Sequence, residues 1–251
     1  KDLMTTMGAN LTRSQSLLLV TLVALLPLCL LKNIAVLAPF SILGLGAMLF
    51  TAVAMAVRYL DGSYDVATGG TFLEDIPQEM QPSFGSVGAM GAFHIHLMVL
   101  LCMVSEAYMA HYNAPRFWVE LKDKTVPRFG AVVGYSFGIS AAYYIFVTAF
   151  GFLTFGAHSS GFILNNYSTN DSLASTSRAC VGFSLIFTYP IIFIGFRDGM
   201  LDMLVVPREC QTDKSLNLLT VILLFIITIL ALVIKDLGLV TAVGGGTLGT
   251  V

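Results

Sequence analysis

Six long apolar runs limit what this chain can fold into. Residues 16–31, 36–57, 85–111, 130–156, 179–196 and 216–234 are dominated by apolar side chains, and a seventh run opens at Leu237 and reaches residue 251. A helical bilayer crossing takes about 20 residues, since about 30 Å of hydrocarbon is covered at about 1.5 Å per residue. The runs are continuous and do not alternate with period two, which predicts helices instead of the strands of a membrane barrel. The first run is short and carries Pro27 near its end, where neighbouring helices must satisfy the freed backbone groups. Composition points the same way: 11% of residues are charged, against about 25% in soluble domains. Mean hydropathy is +0.83. The expectation is an all-α membrane protein with six full spans and the truncated start of a seventh. That excludes nucleic-acid binders, cytosolic enzymes and disulfide-stapled secreted domains. Cys29, Cys102, Cys180 and Cys210 lie in or beside apolar runs, so no disulfide framework is expected. With no initiator Met, no signal peptide and a last residue inside an apolar stretch, the chain reads as an internal fragment of a longer membrane protein.

Alternating crossings sort the loops onto two sides. One side carries Lys32, Arg116, Lys122, Lys124, Arg128, Arg197, Arg208 and Lys214; the other carries Lys1, Arg13, Arg58, Arg178 and Lys235. The positive-inside rule assigns the first set to the cytoplasm and residue 1 to the extracellular or lumenal side. Three glycosylation sequons, at Asn10, Asn166 and Asn170, all fall on that second side.

The third run is too long for one crossing. From Gly85 to Leu121 a straight helix would reach about 56 Å at 1.5 Å per residue. Either residues 112–121 lie along the interface or the helix is broken inside the membrane. Gly85, Gly88 and Gly91 form a small-residue stripe suited to close helix packing. Glu106 is the sole Asp, Glu, Lys or Arg within the six runs. Such a group either lines a pathway or sits at the cytoplasmic interface, and both readings stand at this point. His111 pairs with it only if the backbone leaves regular helix. His94 and His96, two apart, face different sides of a helix and make no metal pair.

Ala107-Tyr108-Met109-Ala110-His111, followed after eight residues by Glu120-Leu121-Lys122-Asp123, resembles the sixth-helix signature of the amino acid/auxin permease family. The nearest branch is the sodium-coupled neutral amino acid transporters. Pro27-Leu28-Cys29-Leu30-Leu31-Lys32-Asn33 resembles the end of that family's fourth helix, and Phe150 to Gly156 the close of its seventh. Arg178 to Arg197, with Thr188-Tyr189-Pro190, is similar to the eighth, and Lys235-Asp236-Leu237-Gly238 to the turn into the tenth. The resemblance covers nearly the whole chain, in order.

It implies the inverted-repeat fold of five plus five helices, of which this chain would be part of a single transmembrane transporter domain. In such folds two helices unwind at mid-membrane and bind substrate and coupling ion there. The resemblance makes Ala107, Tyr108, Met109, Ala110 and His111 the unwound, substrate-binding stretch, although Tyr108 is equally well a packing aromatic and His111 equally well structural. It places Thr188 where relatives have a sodium-facing hydroxyl, with Ser184 one turn earlier on the same face. Na⁺ takes oxygen ligands, and Pro190 frees the carbonyl of Ile186. The competing reading is that both hydroxyls bond their own i−4 carbonyls and Pro190 only kinks the helix. Glu106 departs from the family, which usually has an apolar residue there; a carboxyl that titrates would couple transport to protons.

Gly44, Gly46, Gly134 and Gly138 read as packing glycines, and Gly244-Gly245-Gly246 as a flexible helix opening without the strand–helix context of a nucleotide loop. The expected function is secondary active transport of amino acids by alternating access, driven by Na⁺ or H⁺, without enzymatic activity or other cofactor. The expected partners are an amino acid substrate and the lipid bilayer, in a plasma or vacuolar/lysosomal membrane. The alternative is a polytopic receptor or photoreceptor. A retinal protein needs a Lys in the middle of its last helix, whereas Lys235 lies at a helix end.

Overall fold

A computed structural model describes residues 12–31, 37–85, 95–109, 114–207, 212–234, 240–241 and 243–244. Among these there is no β-strand beyond an isolated bridge between Ser83 and Gly156. Seven helices carry the fold: α1 (Arg13–Cys29), α2 (Ala38–Leu60), α3 (Ile95–Ala107), α4 (Ala114–Glu120), α5 (Val126–Phe155), α6 (Ser172–Met203) and α7 (Asp213–Val233). Four are long and apolar enough to cross a membrane: Pro39–Leu60 within α2, then α5, α6 and α7, whose most apolar windows have mean hydropathy 1.6 to 2.9. Their outward faces are apolar, with Ile42 76%, Ile145 70% and Phe225 65% exposed, as lipid contact requires.

Side-chain caps mark the starts of α1, α6 and α7. α1 starts in a capping box: Gln15 N–H donates to Thr12 Oγ1 (3.4 Å) and Thr12 N–H donates back to Gln15 Oε1 (3.0 Å). Within α1, Thr21–Leu25 widens to π-helix just ahead of Pro27. A proline lacks the N–H for the i−4 carbonyl and its ring crowds that carbonyl, so the ladder loosens by one residue. α6 begins at Ser172, seven residues before the apolar run. There the buried Asp171 carboxylate accepts from the Leu173 and Ala174 N–H groups at 2.9 and 3.3 Å, and the helix propagates from that cap through the polar turn.

The chain forms two compact units. In the first (Lys1–Ala54 with Thr169–Lys235), Cys29 of α1, Phe193 of α6 and Leu223 and Leu224 of α7 make a buried core. Arg197 is buried beside it and donates through Nη1 to Thr220 Oγ1 at 3.3 Å. The Arg13 guanidinium donates to the carbonyls of Ala231 and Ile234, both at 3.3 Å, closing the orphan carbonyl end of α7.

The second unit (Met55–Ser168 with Asp236–Val251) contains the end of α2, α3 to α5 and two folded loops. Tyr64 is buried against Phe72, Phe155 and Tyr167, with ring centroids 5.0 to 5.7 Å away. Asn166 is fully buried; its Nδ2 donates to the carbonyls of Met80 (3.1 Å) and His158 (2.8 Å). A glycan on that nitrogen would take one of those N–H groups and find no room; Asn170, the asparagine of the other described sequon, is exposed. Gly156 ends α5 with φ +60°, and a Cβ there would collide with the Ser83 carbonyl, which accepts from Ala157 N–H at 2.8 Å.

Asp61 holds the turn after α2. Burial pushes its carboxyl up, but hydrogen bonds from Ser63 and the Arg58 guanidinium, 2.8 Å away, outweigh that and hold it below the ordinary carboxylate range. A lowered folded pKa contributes stability that is present above the unfolded value and lost as pH falls through the folded one. Hydrogen exchange at the Ser63 amide should therefore stay slow at neutral pH and accelerate as pH falls below the ordinary aspartate range. Asp61→Asn should remove that acid-side step.

Candidate functional site

α3 stops where the motif begins. Tyr108 N–H makes the last helical bond, to Val104 (3.1 Å), and Met109 N–H reaches back only three residues, to Glu106 (3.0 Å). Tyr108 is a turn residue and Met109 is outside the helix; Ala110 and His111 lie outside the described residues. α4 restarts at Ala114 with Pro115 in its second position, where a missing N–H costs nothing. The Ser105 carbonyl thus loses its in-helix partner, because Met109 N–H turns to Glu106 instead; a freed carbonyl is the chemical resource that a helix end offers a ligand.

The Tyr108 ring is half-buried between two rings of α5, stacked on Phe137 (5.3 Å, 21°) and edge-on to Tyr144 (5.6 Å, 85°). It is packed, yet its cluster is one to which a substrate side chain or ammonium group can be added.

Glu106 occupies the last turn of α3. A carboxylate there opposes the helix dipole, so local helix stability does not account for it. Its Oε2 is buried and, among the described residues, has no hydrogen-bond partner. Gly244, read from sequence as part of a flexible opening, is helical and lies against this carboxyl. Apolar periodicity gives no signal for a contact between residues so far apart in the chain.

In the other unit, Ser184 and Thr188 lie on α6 one turn apart, with the buried Pro190 beyond. Ser184 is half-buried against α2, its Oγ 3.0 Å from where a Cβ on Gly44 would stand; Thr188 is exposed. Thr51, Thr154, Thr176, Thr220 and Thr228 each donate to the carbonyl four residues earlier, at 2.6 to 3.1 Å. Among the described residues Thr188, like Thr21 and Thr148, makes no such bond, and neither does Ser184. The Thr188 hydroxyl is therefore not consumed by its own helix. The glycines read as packing positions divide: Gly44 meets Ser184, whereas Gly46, Gly134 and Gly138 have nothing within 4 Å.

A cavity of about 620 Å³ opens beside the ends of α2 and α5, lined by Arg58, Asp61, Asp65, Thr68 and Phe84 among others. Asp61 is engaged by Arg58 and Ser63, and Asp65 by Ala67 and Thr68. The cavity belongs to the loop cap and not to the end of α3. Among the described residues no cluster of three or more His, Cys, Asp or Glu offers a metal site.

Residues 2–251 match the family described as transmembrane amino acid transporter protein. The chain is similar to the human protein named "Putative sodium-coupled neutral amino acid transporter 11", 27% identical over 88% of this chain and 50% of the relative. It is similar to amino acid transporter AVT6E of Arabidopsis thaliana, 25% identical over 86% of this chain and 44% of the relative. Vacuolar amino acid transporter 7 of Saccharomyces cerevisiae is 26% identical over 68% and 33%. The chain spans half or less of the length of these relatives. No solved structure matches it.

Proposed function

Because the chain belongs to the transmembrane amino acid transporter family, a family of transporters and not of enzymes, we propose that it carries part of the machinery of a secondary active amino acid transporter. The cargo is a neutral amino acid, moved by alternating access in a plasma or vacuolar/lysosomal membrane. The observation that carries the reading is the end of α3 at Ala107, where the sequence motif begins: it frees the Ser105 carbonyl of its in-helix donor, and the next residue, Tyr108, enters an aromatic cluster. In this proposal Ala107, Tyr108, Met109, Ala110 and His111 bind the substrate, backbone polar groups taking its charged end and Tyr108 its side chain.

Na⁺ is the driving ion in the first form of the proposal, held by Thr188, Ser184 and the Ile186 carbonyl. It is supported by the unconsumed Thr188 hydroxyl, by the proline one turn after Ile186, and by the sodium coupling in the human relative's name. A second form, with a proton on Glu106 as driver, is favoured by one observation: an unpartnered buried carboxyl oxygen in an apolar helix.

Tyr108→Ala in the full-length parent tests the substrate assignment. Loss of an aromatic contact should raise the KM for neutral amino acid uptake into liposomes by about fivefold to tenfold, with correctly folded protein by size-exclusion. An unchanged KM would make Tyr108 a packing residue and remove it from the site.

A further inference from the structure

We propose that Gly244 is a positioning residue for Glu106, its missing side chain forming the notch that holds the carboxyl at the end of α3. The inference rests on the reading of Glu106 as a coupling carboxyl. Both residues belong to the same compact unit. A Cβ on Gly244 would stand 3.0 Å from Glu106 Oε1, 3.1 Å from Cδ and 3.2 Å from Oε2. Three nearly equal distances mean that the whole carboxyl group, and not one oxygen, lies against the glycine. Unstrained non-bonded contacts between heavy atoms lie near about 3.5 to 4.0 Å, so a side chain at 244 requires the carboxyl to give by a few tenths of an ångström.

Two further observations give the contact its meaning. Oε2 is buried and has no hydrogen-bond partner among the described residues, so no donor fixes that oxygen there. Residue 244 is helical, where glycine is a poorer choice than alanine. Helix formation therefore does not call for glycine at this position, whereas close approach of a polar group does. The Oε2 oxygen is buried where the glycine lies against the carboxyl, so the room that Gly244 leaves decides where the carboxyl can sit.

Size complementation tests this in the full-length parent reconstituted in liposomes, with Na⁺ and H⁺ gradients imposed together. Gly244→Ala should lower neutral amino acid uptake at least about threefold, the scale of coupling between residues in contact. Glu106→Asp withdraws the carboxyl by one carbon–carbon bond, about 1.5 Å, and added to Gly244→Ala it should restore uptake above that of Gly244→Ala alone. A second readout does not depend on transport. Labelling of Glu106 by dicyclohexylcarbodiimide, followed by mass spectrometry, should be faster in Gly244→Ala than in wild type because the carboxyl has left its notch. Wild-type uptake and labelling rate in Gly244→Ala would overturn the inference while leaving the transporter reading intact. Loss of uptake without rescue by Glu106→Asp and without faster labelling would make Gly244 a helix-packing position only. Absence of uptake in wild type would remove the reading on which the inference rests.

Discussion

Thr188→Ala in the full-length parent should cost Na⁺-driven amino acid uptake about 10- to 100-fold at limiting Na⁺. The substitution removes one oxygen from the proposed cation site and changes little else. Thr188 is exposed and donates no bond to its own helix, so the helix loses no internal contact. An interaction between a hydroxyl and a charged group contributes about 1.5 to 3 kcal/mol, and each 1.4 kcal/mol is about tenfold in an equilibrium constant. The loss should appear as a raised half-saturating Na⁺ concentration, partly recovered at high Na⁺. Thr188→Ser keeps the oxygen and should stay within about threefold of wild type. A fall in uptake that no Na⁺ concentration recovers would assign Thr188 to packing.

Glu106→Gln should abolish any uptake driven by an imposed H⁺ gradient while leaving Na⁺-driven uptake measurable. The amide keeps the size and shape of the carboxyl, so the contact with Gly244 survives, but it cannot carry a proton on and off at any working pH. The loss in the H⁺ arm is expected to be large because Glu106 is the sole Asp, Glu, Lys or Arg in the six apolar runs. H⁺-driven uptake that persists in Glu106→Gln would eliminate the carboxyl as the proton carrier. The same variant tests the interface reading: a carboxyl that merely meets water at the helix end should be replaceable by Gln without consequence in either arm.

Helical character and membrane class were legible because they depend on sums over many residues: long runs of apolar side chains have few alternatives to helix in lipid. Helix ends were less legible because single hydrogen bonds decide them. The apolar run at 179–196 gave no sign that Asp171 would cap α6 and carry it back to Ser172. The end of α3 falls within the polar Ser105–Asn113 stretch, but hydropathy did not fix the residue at which the helix stops. The contact of Gly244 with Glu106 was invisible, since nothing local pairs residues in different helical segments. The burial of Asn166 was likewise invisible: a sequon is a local pattern, and burial of its amide is a tertiary fact. The fate of the Thr188 hydroxyl needed coordinates as well, because a threonine four residues after a carbonyl bonds it at Thr220 and Thr228 and leaves it alone here.

The most direct test of ion-driven amino acid transport is uptake of radiolabelled neutral amino acids by the full-length parent in liposomes, with Na⁺ and H⁺ gradients imposed separately. The account predicts concentrative uptake of at least one neutral amino acid under one of the two gradients, collapsing when that gradient is dissipated. Uptake under neither gradient, in protein that is folded and correctly inserted, would contradict it.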